Sequence, residues 1–397
     1  MSISMWGISV ELVLQSSLLP NGAKDPLYFG SRVTVPVTVK AQKDSNPLKT
    51  RVYEGTARLY DPGVYAIEAR LEYNQSTQDI EGYTRIHIRH DTKHPMYLGR
   101  HQNLPLCTHT AAGRWIPLKN LPRSWPAWQY LFPVDGRVWL PYNCRLRRIS
   151  YMEFAFHMSY AYPSVHWYGD SLSLRTLKPF FKGGKWCHVN ETLMSHDCLC
   201  GDDMSKDLFP KRYRVRGHGV DSTKDNGFPL DLRVINDKDP LDNPSYAPDY
   251  VPPGYSHRRD YFDLYLRTTK DMYWADDIKY PAVGLVIFQM SMQGTYSQFV
   301  SELPRLLKEL RKVYPTSRFI YRSATEYSAS EFHAIDYYAR HMFQTILGAQ
   351  IWDVFTPAAS QPRENRHHIP ECAKAYSRSE LIHIENQLLM NILVNNI

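Results

Sequence analysis

The chain has 397 residues, and 47 Lys and Arg stand against 40 Asp and Glu, a net charge of +7. A hydrophobic fraction of 43% and a charged fraction of 22% exclude a disordered or collagen-like chain and suggest two domains, or one with an appendage. No run of about 18 apolar residues occurs, so no membrane-spanning helix is expected, and the start Met1-Ser-Ile-Ser-Met-Trp6 lacks a signal-peptide pattern.

Residues 1–95 read as β-rich. Residues 8–14 and 33–39 are β-branched, alternating runs, and Asp61-Pro-Gly63 forms a turn between the strand-like runs 56–60 and 64–73. Short strands at this spacing predict an immunoglobulin-like β-sandwich. Residues 96–145 form a connector rich in Pro and Trp. From residue 146 the pattern becomes α/β, with strands expected at 164–168, 282–288, 318–321 and 349–355. Helices are expected at 172–180, 298–313, 331–347 and 378–394. The second of these carries an apolar stripe of Phe299, Leu303, Leu306, Leu307 and Leu310. The last starts at the capping-box spacing Ser377-Arg-Ser-Glu380, and its stripe of Leu381, Ile384, Leu388 and Ile392 predicts packing on the sheet. This alternation predicts a mostly parallel sheet flanked by helices. A polar insertion over 182–272, rich in Asp, Pro, Gly and Tyr, reads as a loop or as a substrate-groove element.

Six cysteines, Cys107, Cys144, Cys187, Cys198, Cys200 and Cys372, fit up to three disulfides in an oxidising compartment. The sequons at Asn74 and Asn190 are compatible with the secretory route, Golgi lumen or extracellular. A zinc site from Cys187, His188, His196, Cys198 and Cys200 lacks a paired ligand frame, so neither a metal nor another cofactor is expected. The basic run 211–216 reads as solvated surface, because no nucleic-acid-binding signature accompanies it. The 28 Tyr suit stacking on sugar rings.

The sharpest chemical signal is Gly169-Asp170-Ser171, where an apolar strand gives way to a helical pattern. That position is the carboxyl edge of a parallel sheet, where open α/β folds bind ligands. It is also a helix N-terminus, whose free N–H groups favour an oxyanion. Ser171 therefore reads either as a helix cap or as a nucleophile. A nucleophilic serine needs a base. The segment after the last predicted strand holds Glu364, His367 and His368, with Asp353 at the strand's end.

These residues resemble the SGNH (GDSL-like) hydrolases, in particular the PC-esterase branch. That branch holds neurexophilin/PC-esterase proteins, plant trichome-birefringence-like O-acetyltransferases and fungal capsule O-acetyltransferases. Gly169-Asp-Ser171 looks like the first motif, and Cys107, Gly113-Arg-Trp115 and Pro141-Tyr-Asn-Cys144 look like its Cys-rich lead-in. Phe319-Ile-Tyr-Arg-Ser-Ala324, Ile351-Trp-Asp-Val-Phe355 and the segment 384–391 are similar to later motifs. The N-terminus resembles a filamin-type sandwich. The resemblance covers most of the chain except 182–272. Here the arginine falls four residues after the serine rather than three, and Glu364 stands where the family has Asp.

The resemblance implies a serine-dependent O-acetyltransferase or esterase acting on a polysaccharide or glycan. Ser171 is then the nucleophile, His367 the base with His368 as rival, and Glu364 the orienting acid with Asp353 as rival. The Ser171 and Gly294 amides and the Gln293 side chain would hold the oxyanion, with Asp170 and Arg175 at the substrate. Two alternatives are a non-catalytic glycan-binding member and a glycoside hydrolase using paired carboxylates. The partners implied are a carbohydrate and an acyl donor.

Overall fold

The structure, a computed structural model, describes residues 9–13, 32–36, 38–40, 52–54, 63–69, 82–88, 103–118, 121, 133–134, 136–162, 164–169, 176–177, 179–180, 211–216, 231–234, 261–268, 283–290, 296–324, 330–359 and 379–396. In the N-terminal part, β1 (Ser9–Val13), β2 (Arg32–Pro36), β5 (Gly63–Ala69) and β6 (Gly82–Ile88) form an antiparallel sheet in the order β2-β1-β5-β6. A separate hairpin pairs β3 (Thr38–Lys40) with β4 (Val52–Glu54).

The stretch read as a connector contains a further hairpin, β7 (Gly113–Pro117) with β8 (Arg137–Pro141). Its buried Trp115 and Trp139 face each other with ring centroids 5.5 Å apart. Gly113 is required there, since a Cβ would lie 2.7 Å from the Leu140 carbonyl and 2.8 Å from the Trp139 ring. Cys107 and Cys144 lie at disulfide distance, closing this hairpin into one loop.

The main sheet has seven strands in the order β11-β10-β12-β9-β13-β14-β15. Four are close to the expected strands: β9 (Ser164–Gly169), β13 (Leu285–Phe288), β14 (Arg318–Arg322) and β15 (Gln350–Trp352), all mutually parallel. The other three come from the stretch read as a loop or groove element. They are β10 (Lys211–Arg216), β11 (Asp231–Val234) and β12 (Tyr261–Thr268). Strand β12 joins β9 in parallel, and β10 and β11 follow as antiparallel neighbours. The insertion therefore extends the sheet.

Two helical layers cover the sheet. One face packs α2 (Tyr296–Val313) and α3 (Ser330–Leu347) over Tyr168, Val286, Phe288, Phe319 and Tyr321. Proline at position 304, inside α2, cannot donate to the Val300 carbonyl, and the Tyr338 hydroxyl on α3 donates to it instead at 3.2 Å. The other face carries α1 (Tyr151–Ala161) and α5 (Ser379–Val394), packed on Val165, Trp167, Leu285, Ile287, Ile320 and Trp352. A short helix, α4 (Phe355–Ala359), follows β15.

Helix α5 departs from the expected one-sided stripe. Every residue from Leu381 to Val394 is buried, including His383, Glu385, Asn386, Gln387 and Asn391. Its side-chain amides serve as backbone partners. Asn391 exchanges two hydrogen bonds of 2.9 Å with the Arg147 amide and carbonyl. Gln387 does the same one turn earlier with Ile149, at 3.0 and 2.7 Å. The extended 147–149 segment thus pairs with a helix as it would with a strand, which removes most of the penalty for burying these amides.

Candidate functional site

The carboxyl ends of the parallel strands form one edge. Strand β9 ends at Gly169, directly before Asp170-Ser171, and it lies in the sheet's interior between β12 and β13. The chain is described again as helix at Thr176 and Leu177. The buried Asn386 amide of α5 donates to the Thr176 carbonyl at 3.0 Å and to the Tyr151 hydroxyl at 3.1 Å. Burial holds Tyr151 well above the ordinary tyrosine pKa, against the smaller opposing effect of Asn386. Its hydroxyl therefore stays neutral, and it shares a hydrogen bond of 3.0 Å with His383 Nδ1. The helix after the serine motif is thereby fixed to α1 and α5.

At the ends of the next strands lies a buried polar cluster. Arg322 reaches Glu385 of α5 at 2.8 Å and Gln289, just past β13, at 3.0 Å. Ser323 is fully buried, and its hydroxyl accepts from the Val354 and Phe355 amides at 2.9 and 3.2 Å. It serves as a brace between strand ends.

A second cluster lies toward α3. Asp336 accepts from the Tyr321 hydroxyl and the Ala324 amide, each at 2.8 Å, and from Arg340 Nε at 2.7 Å. Burial, then the Asp336 carboxylate, push the Tyr321 hydroxyl well above its usual pKa, so it stays a neutral donor. Arg340 also reaches Asp353 at 3.1 Å. Asp353 accepts in addition from the Phe355 and Thr356 amides at 3.0 and 3.1 Å, and from the Thr356 hydroxyl, which makes it the cap of α4. The lead-in closes the edge from outside. Thr110 Oγ donates to the Ile351 carbonyl at 2.9 Å and accepts from the Asp353 amide at 3.2 Å.

Burial raises the Asp353 pKa, but Arg340 and the Thr356 hydrogen bonds outweigh it and hold the carboxyl below its ordinary value. A depressed folded-state pKa gives stability that is present above the unfolded-state value and lost as pH falls through the folded-state one. Asp353→Asn is thus expected to cost about 2 kcal/mol at neutral pH. The gap to wild type should close as pH falls below about 4. Urea unfolding across that range checks this, and a gap of constant size would rule out the charged contacts as its source.

Of the residues singled out in the sequence, the structure places Asp353, Cys107 and Cys144. Asp170, Ser171, Arg175, Gln293, Gly294, Glu364, His367 and His368 lie outside the described residues, as do Asn74, Asn190, Cys187, Cys198, Cys200 and Cys372. Among the described residues no group of three or more His, Cys, Asp or Glu is arranged to hold a metal ion, and no helix is long and apolar enough to cross a membrane. Sequence reasoning missed Gln289, Asp336 and Arg340, and it held Arg322 and Glu385 only as members of the motif-like segments 319–324 and 384–391, with no role assigned. The signal for them was weak: charged or amide side chains within otherwise apolar strand and helix runs. Compared with protein-family models, curated proteins and solved structures, the chain matches none.

Proposed function

We propose that this protein transfers acyl groups on carbohydrate through a serine nucleophile, on an SGNH-like sheet preceded by a filamin-like β-sandwich. One observation carries the reading. Gly169-Asp170-Ser171 directly follows an interior strand of the parallel sheet, and the helix after it is fastened through Thr176 to the buried Asn386. A serine that directly follows such a strand is expected at the ligand-binding edge of the sheet.

In this mechanism Ser171 Oγ attacks the ester carbonyl carbon while the His367 imidazole, with His368 as rival, takes the hydroxyl proton. The oxyanion lies between the Ser171 and Gly294 amides with the Gln293 side chain, and Asp170 and Arg175 hold the sugar. Collapse breaks the ester bond, and the departing sugar oxygen receives the proton from the imidazolium. Water or a second sugar hydroxyl then repeats the sequence on the acyl-enzyme, which gives an esterase or a transferase. The carboxylate of Asp353 is already taken up by Arg340 and the cap of α4, which favours Glu364 as the orienting acid. The disulfide-distance pair suits a lumenal or extracellular setting.

Incubation with acetylated polysaccharide tests the reading. Acetate release or transfer is expected, rising through about pH 6–7 as an imidazole base loses its proton. New reducing ends without acetate would instead indicate a glycosidase with paired carboxylates. Tight binding with neither product would indicate a non-catalytic glycan binder.

A further inference from the structure

The stretch that carries Ser171 runs between two anchored points. On one side Gly169 is buried at the end of β9, a strand paired on both sides. On the other, the chain is helical at Thr176 and Leu177 and again at Phe180, and all three residues are buried. This second anchor rests on α1 and α5. Phe180 meets Tyr151 edge-on with ring centroids 4.7 Å apart, and Phe154 at 5.3 Å. Apolar contacts of this kind are largely non-directional and tolerate small shifts. Direction comes from the hydrogen bond of 3.0 Å that the Asn386 amide donates to the Thr176 carbonyl.

Packing alone does not account for an asparagine at this place. Asn386 is fully buried in a helix whose neighbouring Ile384, Leu388 and Leu389 belong to the core. Its Oδ1 is buried with no hydrogen-bond partner among the described residues, a cost that a leucine of similar size would avoid. The other buried amides of α5 differ in this respect. Gln387 and Asn391 each satisfy a backbone donor and acceptor of the extended 147–149 segment. The Thr176 carbonyl lies within a helix, where the amide four residues on is the ordinary donor. The Asn386 bond therefore adds a fixed direction rather than rescuing an orphaned group.

We propose that Asn386 is a positioning residue for acyl transfer: it fixes the rotation and depth of the helix at Thr176 and thereby the far end of the segment 170–175 that presents Ser171. Buried in α5, it acts through Thr176 and not on the substrate. The chemistry rests on the proposed function, and the positioning on the hydrogen bond to Thr176. Its effect is expected on turnover more than on substrate binding, because a nucleophile misplaced by about 1 Å loses on the order of a hundredfold in rate.

Two variants of the same buried node separate positioning from stability. Asn386→Leu removes the donor to Thr176. Tyr151→Phe removes a hydroxyl that bonds Asn386 and His383, but keeps the ring against Phe180 and the bond from Asn386 to Thr176. The full chain is assayed for kcat and KM on an aryl acetate, for urea unfolding, and for amide hydrogen exchange over residues 170–180. Both variants are expected to lose stability. Asn386→Leu should lower kcat by about thirtyfold or more with KM within about threefold, and should exchange faster over 170–180. Tyr151→Phe should keep kcat within about threefold of wild type. An unchanged kcat in Asn386→Leu overturns the proposal, as does an equal fall in both variants, which would mark the node as purely structural. A wild type inert toward every ester sinks the acyl-transfer reading instead, and exchange then decides the positioning: faster in Asn386→Leu than in Tyr151→Phe supports it, and equal exchange overturns it. Should the Leu variant not fold, Asn386→Ser, too short to reach Thr176, takes its place with the same outcomes.

Discussion

Ser171→Ala is expected to reduce acyl transfer by about a thousandfold or more, since a triad that loses its nucleophile keeps only oxyanion and binding effects. The competing role of Ser171 is a helix cap, and the two roles separate by substitution. Loss of a cap alone costs about 1 kcal/mol of stability and leaves the chemistry in place. Ser171→Asn restores a good cap and supplies no nucleophile. If the serine is the nucleophile, the Asn variant should be as stable as wild type and as inactive as the Ala variant. If it is only a cap, the Asn variant should regain full activity, and the acyl-transfer reading fails. Hydrolysis of an aryl acetate and thermal unfolding, measured on the same preparations, provide both readouts.

Which parts of this edge could be read from the sequence follows from the range of the forces involved. Strands β9, β13 and β14 are short apolar runs, and α2 and α3 carry stripes at helical spacing, so local pattern suffices for each. Helix α1 has no such stripe, being apolar almost all round. It was not among the expected helices, and its one local cue is the N-cap Ser150, whose Oγ accepts from the Glu153 amide at 3.0 Å. The insertion's strands were obscured by surrounding Asp, Pro and Gly. The period-two alternation within 211–216 was present but read as surface charge. The serine motif and Asp353 stand at strand ends and are visible there. The contacts that brace the edge are not local. Arg322 and Glu385 are 63 residues apart, and Ser323 and Val354 are 31 apart. Neither pair leaves a periodic trace, because only the fold brings the partners together.

The largest stability effect is expected at one of those non-local pairs. Arg322 and Glu385 have side-chain exposures of 2% and 0%, so each charge has given up its hydration for the other. The Arg322 guanidinium also lies over the Trp352 ring at 5.2 Å, and the Trp352 indole donates to the Glu385 carbonyl at 2.7 Å. Arg322→Met removes the cation and leaves a carboxylate in the core, a change expected to cost about 3–5 kcal/mol. The double variant Arg322→Met/Glu385→Leu removes both charges at similar volume and should recover most of that loss, because the desolvation cost of the pair disappears with it. Urea unfolding of the single and double variants measures the coupling. A single-variant cost below about 1 kcal/mol would show that the pair is not held charged in the core. The same variants report on the edge. Glu385 precedes Asn386, which fixes Thr176 beyond the serine motif, and Arg322 bridges through Gln289 to the end of β13. The folded double variant, lacking the arginine that ties these strand ends together, is therefore expected to lose turnover while keeping its stability, a split that a purely structural ion pair would not produce.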